Sequence, residues 1–289
     1  MFNLINIPAR FVHIPQIVTI HQSNLLAEID YKMPLKDKIF FLINDLLFRF
    51  GKKGATSFAV QTKVMADNLA KRQKVKPDLI RIIQNGFEKS LTDLSDDELI
   101  SAMFNSPNSI KALCIASYYP SKNLDIFIKV AQLVKQRKAD IKIYVTVNEN
   151  QHPWAARFMK QIKDNKLGNI IINLSYLSRQ GVATAYRKAD LFVLPTLLES
   201  FGIIYLEAMG FACPIATSDR DFARCVCGDA ALYFDPKSPE LILDTIIKIH
   251  KDKQLRGSLI NNGRQRLNTF FKSWDEVAVE YLRLIESVL

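Results

Sequence analysis

Leu191-Phe-Val-Leu-Pro195, Thr196-Leu-Leu-Glu-Ser-Phe-Gly202 and Ile203-Ile-Tyr-Leu-Glu-Ala-Met-Gly210 read in turn as a buried strand, a loop and a helix. Four apolar residues closed by a proline suit a strand covered on both faces, and the last stretch is rich in helix formers. Ser200 is the expected N-cap, and Gly202 lets the backbone come close to a ligand. The amides of Phe201, Gly202 and Ile203 then point out of the helix start, where the helix dipole favours an anion such as a diphosphate. Glu199 in the loop and Glu207 in the helix are eight residues apart. A carboxylate is a strong bidentate acceptor for vicinal hydroxyls. Two of them flanking an anion site could hold a ribose on one side and a hexose on the other.

The same alternation extends in both directions. Ile17–Ile20, Ser57–Val60 and Arg81–Gln84 read as strands, with a helix over Lys36–Phe50 and another opened by Thr62. Asn85-Gly86 is a turn signal. The acidic and turn-rich stretch that follows, to about Ser109, marks a boundary. Beyond it, Leu113–Ala116, Ile141–Val147, Ile170–Leu174, Pro214–Thr217 and Leu232–Phe234 read as strands, with helices near 122–136, 153–165, 178–188 and 202–211. The tail from Pro239 reads as helical throughout. Strands separated by helices imply parallel sheets covered on both faces, with ligands bound beyond the carboxyl ends of the strands.

With 289 residues, 48% hydrophobic and 24% charged, the chain has the make-up of a globular protein of one large or two modest domains. No run approaches about 18 apolar residues, so a spanning helix is not expected. The opening Met1–Arg10 lacks the pattern of a secretory signal, and Cys114, Cys213, Cys225 and Cys227 form no paired framework, so a reduced, cytoplasmic protein is expected. Cys225-Val-Cys227 has poor chelating spacing and reads as packing cysteines, and His13, His152 and His250 read as structural or exposed. The net charge of +10 is uneven: residues 1–90 hold 14 Lys and Arg against 7 Asp and Glu, a surplus of 7, and the remainder holds only 3. Such asymmetry suits an anionic partner.

Glu199-Ser-Phe-Gly-Ile-Ile-Tyr-Leu-Glu207 resembles the E-x7-E motif of the retaining GT-B glycosyltransferases of family 4. The similarity continues through Pro214-Ile-Ala-Thr-Ser-Asp219 and Gly228–Pro236, and upstream through Tyr119-Pro-Ser-Lys-Asn123, Gln84-Asn-Gly-Phe87 and Gln61-Thr62. The resemblance implies an α/β, GT-B-like fold of two Rossmann-like domains with parallel sheets, the N-terminal one incomplete. Residues 1–88 would be the partial acceptor-side domain, 89–109 a linker, and 110–289 the nucleotide-sugar domain with its C-terminal helices, which return to brace the first domain. It also implies transfer of a hexose from a nucleotide-sugar donor to a glycan or lipid-linked acceptor with retention of configuration, with no metal and no cofactor besides the donor. By the same resemblance Glu199 contacts hydroxyls of the donor sugar, Glu207 clasps the ribose, and the amides around Ser200–Gly202, ahead of Ile203, bind the sugar or its phosphate. Lys122 neutralises the diphosphate, and His21 reaches the donor sugar from the N-terminal domain.

Two departures stand out. Ala116-Ser117 occupies the place where the family usually carries an arginine, five residues before the lysine. Only three strands precede Asn85-Gly86, with no Gly-rich loop, so the chain is expected to begin partway through domain one. A non-catalytic or partner-dependent nucleotide-sugar-binding remnant, and a GT-B-type nucleotide-sugar epimerase, stay open as alternatives. The helix at 36–50 and the basic run Lys71–Lys76 suggest a peripheral membrane contact through residues 36–76, at the inner face of the membrane. Against that contact, Phe40, Phe41, Leu46 and Leu47 fit a core face, or a face that the missing half of the domain would cover. No nucleic-acid contact is expected, because the basic run carries no interleaved aromatics.

Overall fold

The structure, a computed structural model, describes residues 1–3, 6–11 and 13–289. The chain forms two compact units: Met1–Phe87 with Leu198–Ile203 and Phe271–Leu289, and Glu88–Leu197 with Ile204–Phe270. Each is built on a parallel sheet, which makes the fold α/β.

In the first unit the sheet runs β1 (Phe2–Asn3), β2 (Ile17–Thr19), β3 (Ser57–Val60) and β4 (Ile80–Ile82), in that order. β1 was not foreseen: two residues are too few to show a period, and the strand is defined by its pairing, Phe2 with Ile17 and Asn3 with Val18. Strand residues alternate between faces. Val18, Ile20, Phe58 and Val60 pack with Phe48 of α1 (Leu35–Gly51) and with Met65 and Leu69 of α2 (Lys63–Gln73). Thr62 caps α2, its hydroxyl accepting from the Met65 amide at 3.1 Å, which satisfies one of the orphan donors at the helix start. Burial of Phe48 alone is worth about 1.5–3 kcal/mol.

The second unit carries a six-stranded sheet of β5 (Ile110–Cys114), β6 (Ile141–Val145), β7 (Ile171–Asn173), β8 (Leu191–Leu194), β9 (Ile215–Ser218) and β10 (Ala231–Phe234). Their spatial order is β10-β9-β8-β5-β6-β7. β5 and β8 are neighbours in register, Ala112 beside Leu191, yet successive strands move away from that pair in opposite directions. This reversal is a topological switch point, where loops diverge and leave a crevice at the carboxyl ends of the strands. All four residues of β8 are fully buried, as a central parallel strand requires.

The segment 89–109, expected as a linker, contains α3 (Glu98–Met103), capped by Asp97, whose carboxylate accepts from the Ile100 amide at 3.1 Å. α4 (Ile126–Gln136), α5 (Pro153–Asp164) and α6 (Arg179–Lys188) follow β5, β6 and β7. Arg187 of α6 binds the Asp96 carboxylate at 2.7 Å and the Leu94 carbonyl at 2.8 Å, so 89–109 is fastened to the second unit. α7 (Ile203–Gly210) follows β8, and α8 (Asp221–Cys227), which the sequence reading missed, follows β9. Cys225 and Cys227 lie on α8. Burial pushes the Cys213 thiol up to about 12, leaving an inert packing group.

The tail is helical in three pieces: α9 (Pro239–Lys251), α10 (Lys253–Phe270) and α11 (Trp274–Glu286). The first two belong to the second unit and α11 to the first. There Val277 and Leu284 cover the face of the first sheet that presents Ile17 and Ala59. A capping box starts α11, with Ser273 and Glu276 bonding each other's backbone amides.

Candidate functional site

The loop after β5 holds Lys122, which ends a turn of 3-10 helix over Pro120–Lys122. The carbonyl of Ser121 accepts from the Leu197 amide at 2.7 Å and from the Thr196 hydroxyl at 2.9 Å. Asn123, in the left-handed region at φ 56°, donates through Nδ2 to the carbonyls of Pro195 (3.1 Å) and Pro236 (2.8 Å). One short segment thus ties together the loops after β5, β8 and β10, fixing Lys122 at the switch point of the second sheet. Asn123 was read only as part of a motif. Its function depends on three loops distant in sequence.

Glu207 lies in α7 of the second unit, half-buried. Its carboxylate accepts from the Tyr186 hydroxyl at 3.1 Å, and the same hydroxyl contacts the Ile204 carbonyl at 3.1 Å. Tyr186 is fully buried and stacks on Phe211, centroids 5.2 Å apart. Burial raises the Glu207 carboxyl above its usual range, and the Tyr186 hydrogen bond opposes that shift. The Tyr186 hydrogen bond orients one oxygen of the Glu207 carboxylate.

Glu199, Ser200, Phe201, Gly202 and Ile203 group with the first unit. Gly202 takes φ 77°, a backbone region that strains any residue with a Cβ. The expectation that Ser200 caps the helix is corrected: α7 begins at Ile203, directly after Gly202, whose left-handed conformation ends the loop. Phe201 is 1% exposed and meets Phe271 edge to face at 5.9 Å. Its ring is core, which leaves only its backbone to meet a ligand.

His21 stands just past β2 in the first unit, with an exposed edge. Asn6 accepts from the amides of His21 (2.5 Å) and Gln22 (3.1 Å). Gln61, just past β3 and 1% exposed, places Nε2 at 3.0 Å from His21 Nδ1. Partial burial lowers the His21 pKa. Neither anchor was foreseen: Asn6 lies in the excursion between β1 and β2, and Gln61 was noted only beside Thr62.

A depression of about 540 Å³ lies elsewhere in the second unit, lined by Asp96, Glu98, Phe104, Lys111 and Lys188. Lys111 stands near the amino end of β5, opposite the switch-point loops. Among the described residues, no group of three or more His, Cys, Asp or Glu side chains could hold a metal ion, and no helix is long and apolar enough to cross a membrane.

The family model of the glycosyl transferases group 1 matches residues 96–266, spanning the second sheet and its site loops. The chain belongs to that family. It is 26% identical over 235 residues to mannosylfructose-phosphate synthase of Agrobacterium fabrum, covering 78% of this chain and 51% of that protein. It is 26% identical over 208 residues to D-inositol 3-phosphate glycosyltransferase of Paenarthrobacter aurescens, covering 70% and 51%. The chain thus spans about half the length of these relatives. Among solved structures, Anabaena Alr3699/HepE in complex with UDP-glucose superposes with a TM-score of 0.77 at 15% identity, covering 94% of this chain and 72% of that one. Sucrose-phosphate synthase of Thermosynechococcus elongatus superposes at 0.75 with 16% identity, covering 96% and 68%. The fold is GT-B-like.

Proposed function

We propose that the chain is a retaining hexosyltransferase of family 4, metal-independent, that moves a hexose from a nucleoside-diphosphate sugar to a glycan or lipid-linked acceptor. One observation carries the reading. Ser121 and Asn123 bind the loop of Lys122 to the strand end that leads into the E-x7-E segment, so the backbone that carries this lysine is held at the switch point of the second sheet, which supports a role for it toward a diphosphate. In this reading Lys122 stabilises charge as it develops on the leaving diphosphate. Glu207 takes the ribose hydroxyls, and Glu199 the hydroxyls of the sugar. Backbone groups of Ser200–Ile203 serve the sugar or its phosphate, and His21 offers a ring nitrogen to the sugar. That Alr3699/HepE holds UDP-glucose supports a nucleotide-sugar donor. The donor is a substrate, and no separate cofactor is invoked. The place of action is the cytoplasm, with a lipid-linked acceptor met at the inner membrane face through residues 36–76.

A thermal-shift titration with UDP, GDP, ADP and their hexose conjugates tests the donor half. Ligand at about 100 times its dissociation constant adds about 2.7 kcal/mol of stability. One nucleotide should shift the wild-type melting temperature and leave Glu207→Ala unmoved. No shift with any nucleotide would overturn the donor site for this chain.

A further inference from the structure

α1 is inside out. Of its 17 residues only Asn44, Phe48 and Gly51 are buried. Leu35, Ile39, Leu42, Leu46 and Phe50, at i, i+4, i+7, i+11 and i+15, stand on one face with Ile43 beside them, and each is 49–73% exposed. An amphipathic helix of a soluble unit turns that stripe inward. Here the inward positions include an asparagine and a glycine, and the outward arc is leucine, isoleucine and phenylalanine. Phe11, 80% exposed, meets Phe50 edge to face at 6.0 Å and extends the apolar surface beyond the helix. Scattered apolar residues are common on protein surfaces, but a contiguous patch of this kind marks an interaction site.

Charge identifies the occupant. Between Leu35 and Lys53 the sequence holds five basic residues against Asp37 and Asp45. Lys38 and Arg49, eleven residues apart, share one flank of the apolar stripe, where Arg49 pairs with Asp45 at 2.8 Å, and the segment as a whole keeps a surplus of three positive charges. Arg10 lies over the Phe50 ring at 5.8 Å. Long basic side chains beside an apolar stripe keep their charge at headgroup level while the stripe enters the acyl boundary. A second copy of this chain would bring the same positive surplus against itself, whereas an anionic lipid surface complements it.

We infer that α1 and Phe11 form a docking surface for an anionic bilayer, with the helix in the plane of the interface and Leu35, Ile39, Leu42, Leu46 and Phe50 turned into the lipid. This deepens the acceptor half of the proposed function and is independent of the donor site.

The test is co-sedimentation of the full chain with vesicles of phosphatidylcholine alone and of phosphatidylcholine mixed with phosphatidylglycerol. Leu42→Ser/Leu46→Ser and Lys38→Glu/Arg49→Glu are measured beside the wild type, with sedimentation velocity in the absence of lipid. All four positions are exposed, and an unchanged circular dichroism spectrum shows that the variants fold. The wild type is expected on the mixed vesicles. The double serine variant should lose binding by about tenfold or more, and the charge-reversed variant and added salt should weaken it. Absence from mixed vesicles, or binding that ignores the serine substitutions, overturns the proposal. So does equal binding to both vesicle types. A wild-type dimer that the serine substitutions split, with no vesicle binding, assigns the face to self-association and also overturns it. A nucleotide shift retained by the serine variant separates this surface from the donor site, whichever way the vesicles read.

Discussion

Gln61 Nε2 lies 3.0 Å from His21 Nδ1, across the carboxyl ends of two neighbouring strands. An amide nitrogen can only donate, so Nδ1 accepts and the neutral ring carries its proton on Nε2. The ring thereby offers a donor at its other nitrogen, suited to a sugar oxygen. Partial burial lowers the His21 pKa, which favours the neutral ring. Gln61→Glu would put an acceptor at the same place, favour Nδ1–H and raise the His21 pKa above the wild-type value. Imidazole nitrogen shifts followed by NMR through a pH titration check both points. A wild-type ring protonated on Nδ1 at neutral pH would contradict the assignment.

Glu207 and Tyr186 give a pH dependence with a defined sign. Clasping two hydroxyls requires the carboxylate, and burial raises the pKa of this carboxyl. Nucleotide affinity is expected to fall on acidification at a higher pH than an ordinary glutamate would give. Tyr186→Phe removes the hydrogen bond that favours the carboxylate and should move the fall to still higher pH. Glu207→Gln should flatten it. Stability runs the other way. The folded chain holds this proton more tightly than the unfolded one, so the contribution is present below the ordinary carboxyl pKa and is lost as pH rises through the raised value. Calorimetric titrations of nucleotide across the acid range read the first effect, and urea midpoints the second.

Asn123 is expected to matter more for structure than its half-exposed position suggests. Asn123→Ala leaves the Pro195 and Pro236 carbonyls without this donor and puts a Cβ-bearing residue with little taste for it at φ 56°. A loss of about 1–3 kcal/mol is expected by urea unfolding. Asn123→Gly keeps the backbone free and loses only the hydrogen bonds, so the difference between the two variants measures the strain. Both should weaken nucleotide binding, because Lys122 is the preceding residue in the chain. Unchanged binding in both would remove the argument that this tie positions the lysine.

The order of strands and helices was legible because the central strands are short apolar runs covered on both sides, as in Leu191–Leu194. The E-x7-E spacing and the lysine are local patterns, and they too could be read directly. The orientation of α1 could not: a 3.6-residue period marks the apolar arc but does not say which side meets the protein. α8 was missed because seven residues with two cysteines show no clear stripe. The ties made by Asn6, Gln61 and Asn123 are single polar residues whose partners lie in other loops, so no local pattern announces them.

Asn85-Gly86 shows the same limit, and it yields the last prediction. As sequence it is a turn. In the structure the Phe87 amide donates to the Lys272 carbonyl at 2.9 Å, and a Cβ built on Gly86 would sit 2.8 Å from the Trp274 nitrogen and 3.0 Å from the Ser273 carbonyl carbon. The close contacts are backbone atoms at the start of α11, so no side chain can swing aside. Gly86→Ala should displace the start of that helix and loosen Val277 and Leu284 from Ile17 and Ala59. The expected cost is about 1–3 kcal/mol, typical of overpacking. Amide exchange should rise across Trp274–Glu286 and along β2, while β6 and β7 of the second unit keep their protection. Rates that rise equally in both sheets would show a global loss of stability instead of a local contact at Gly86.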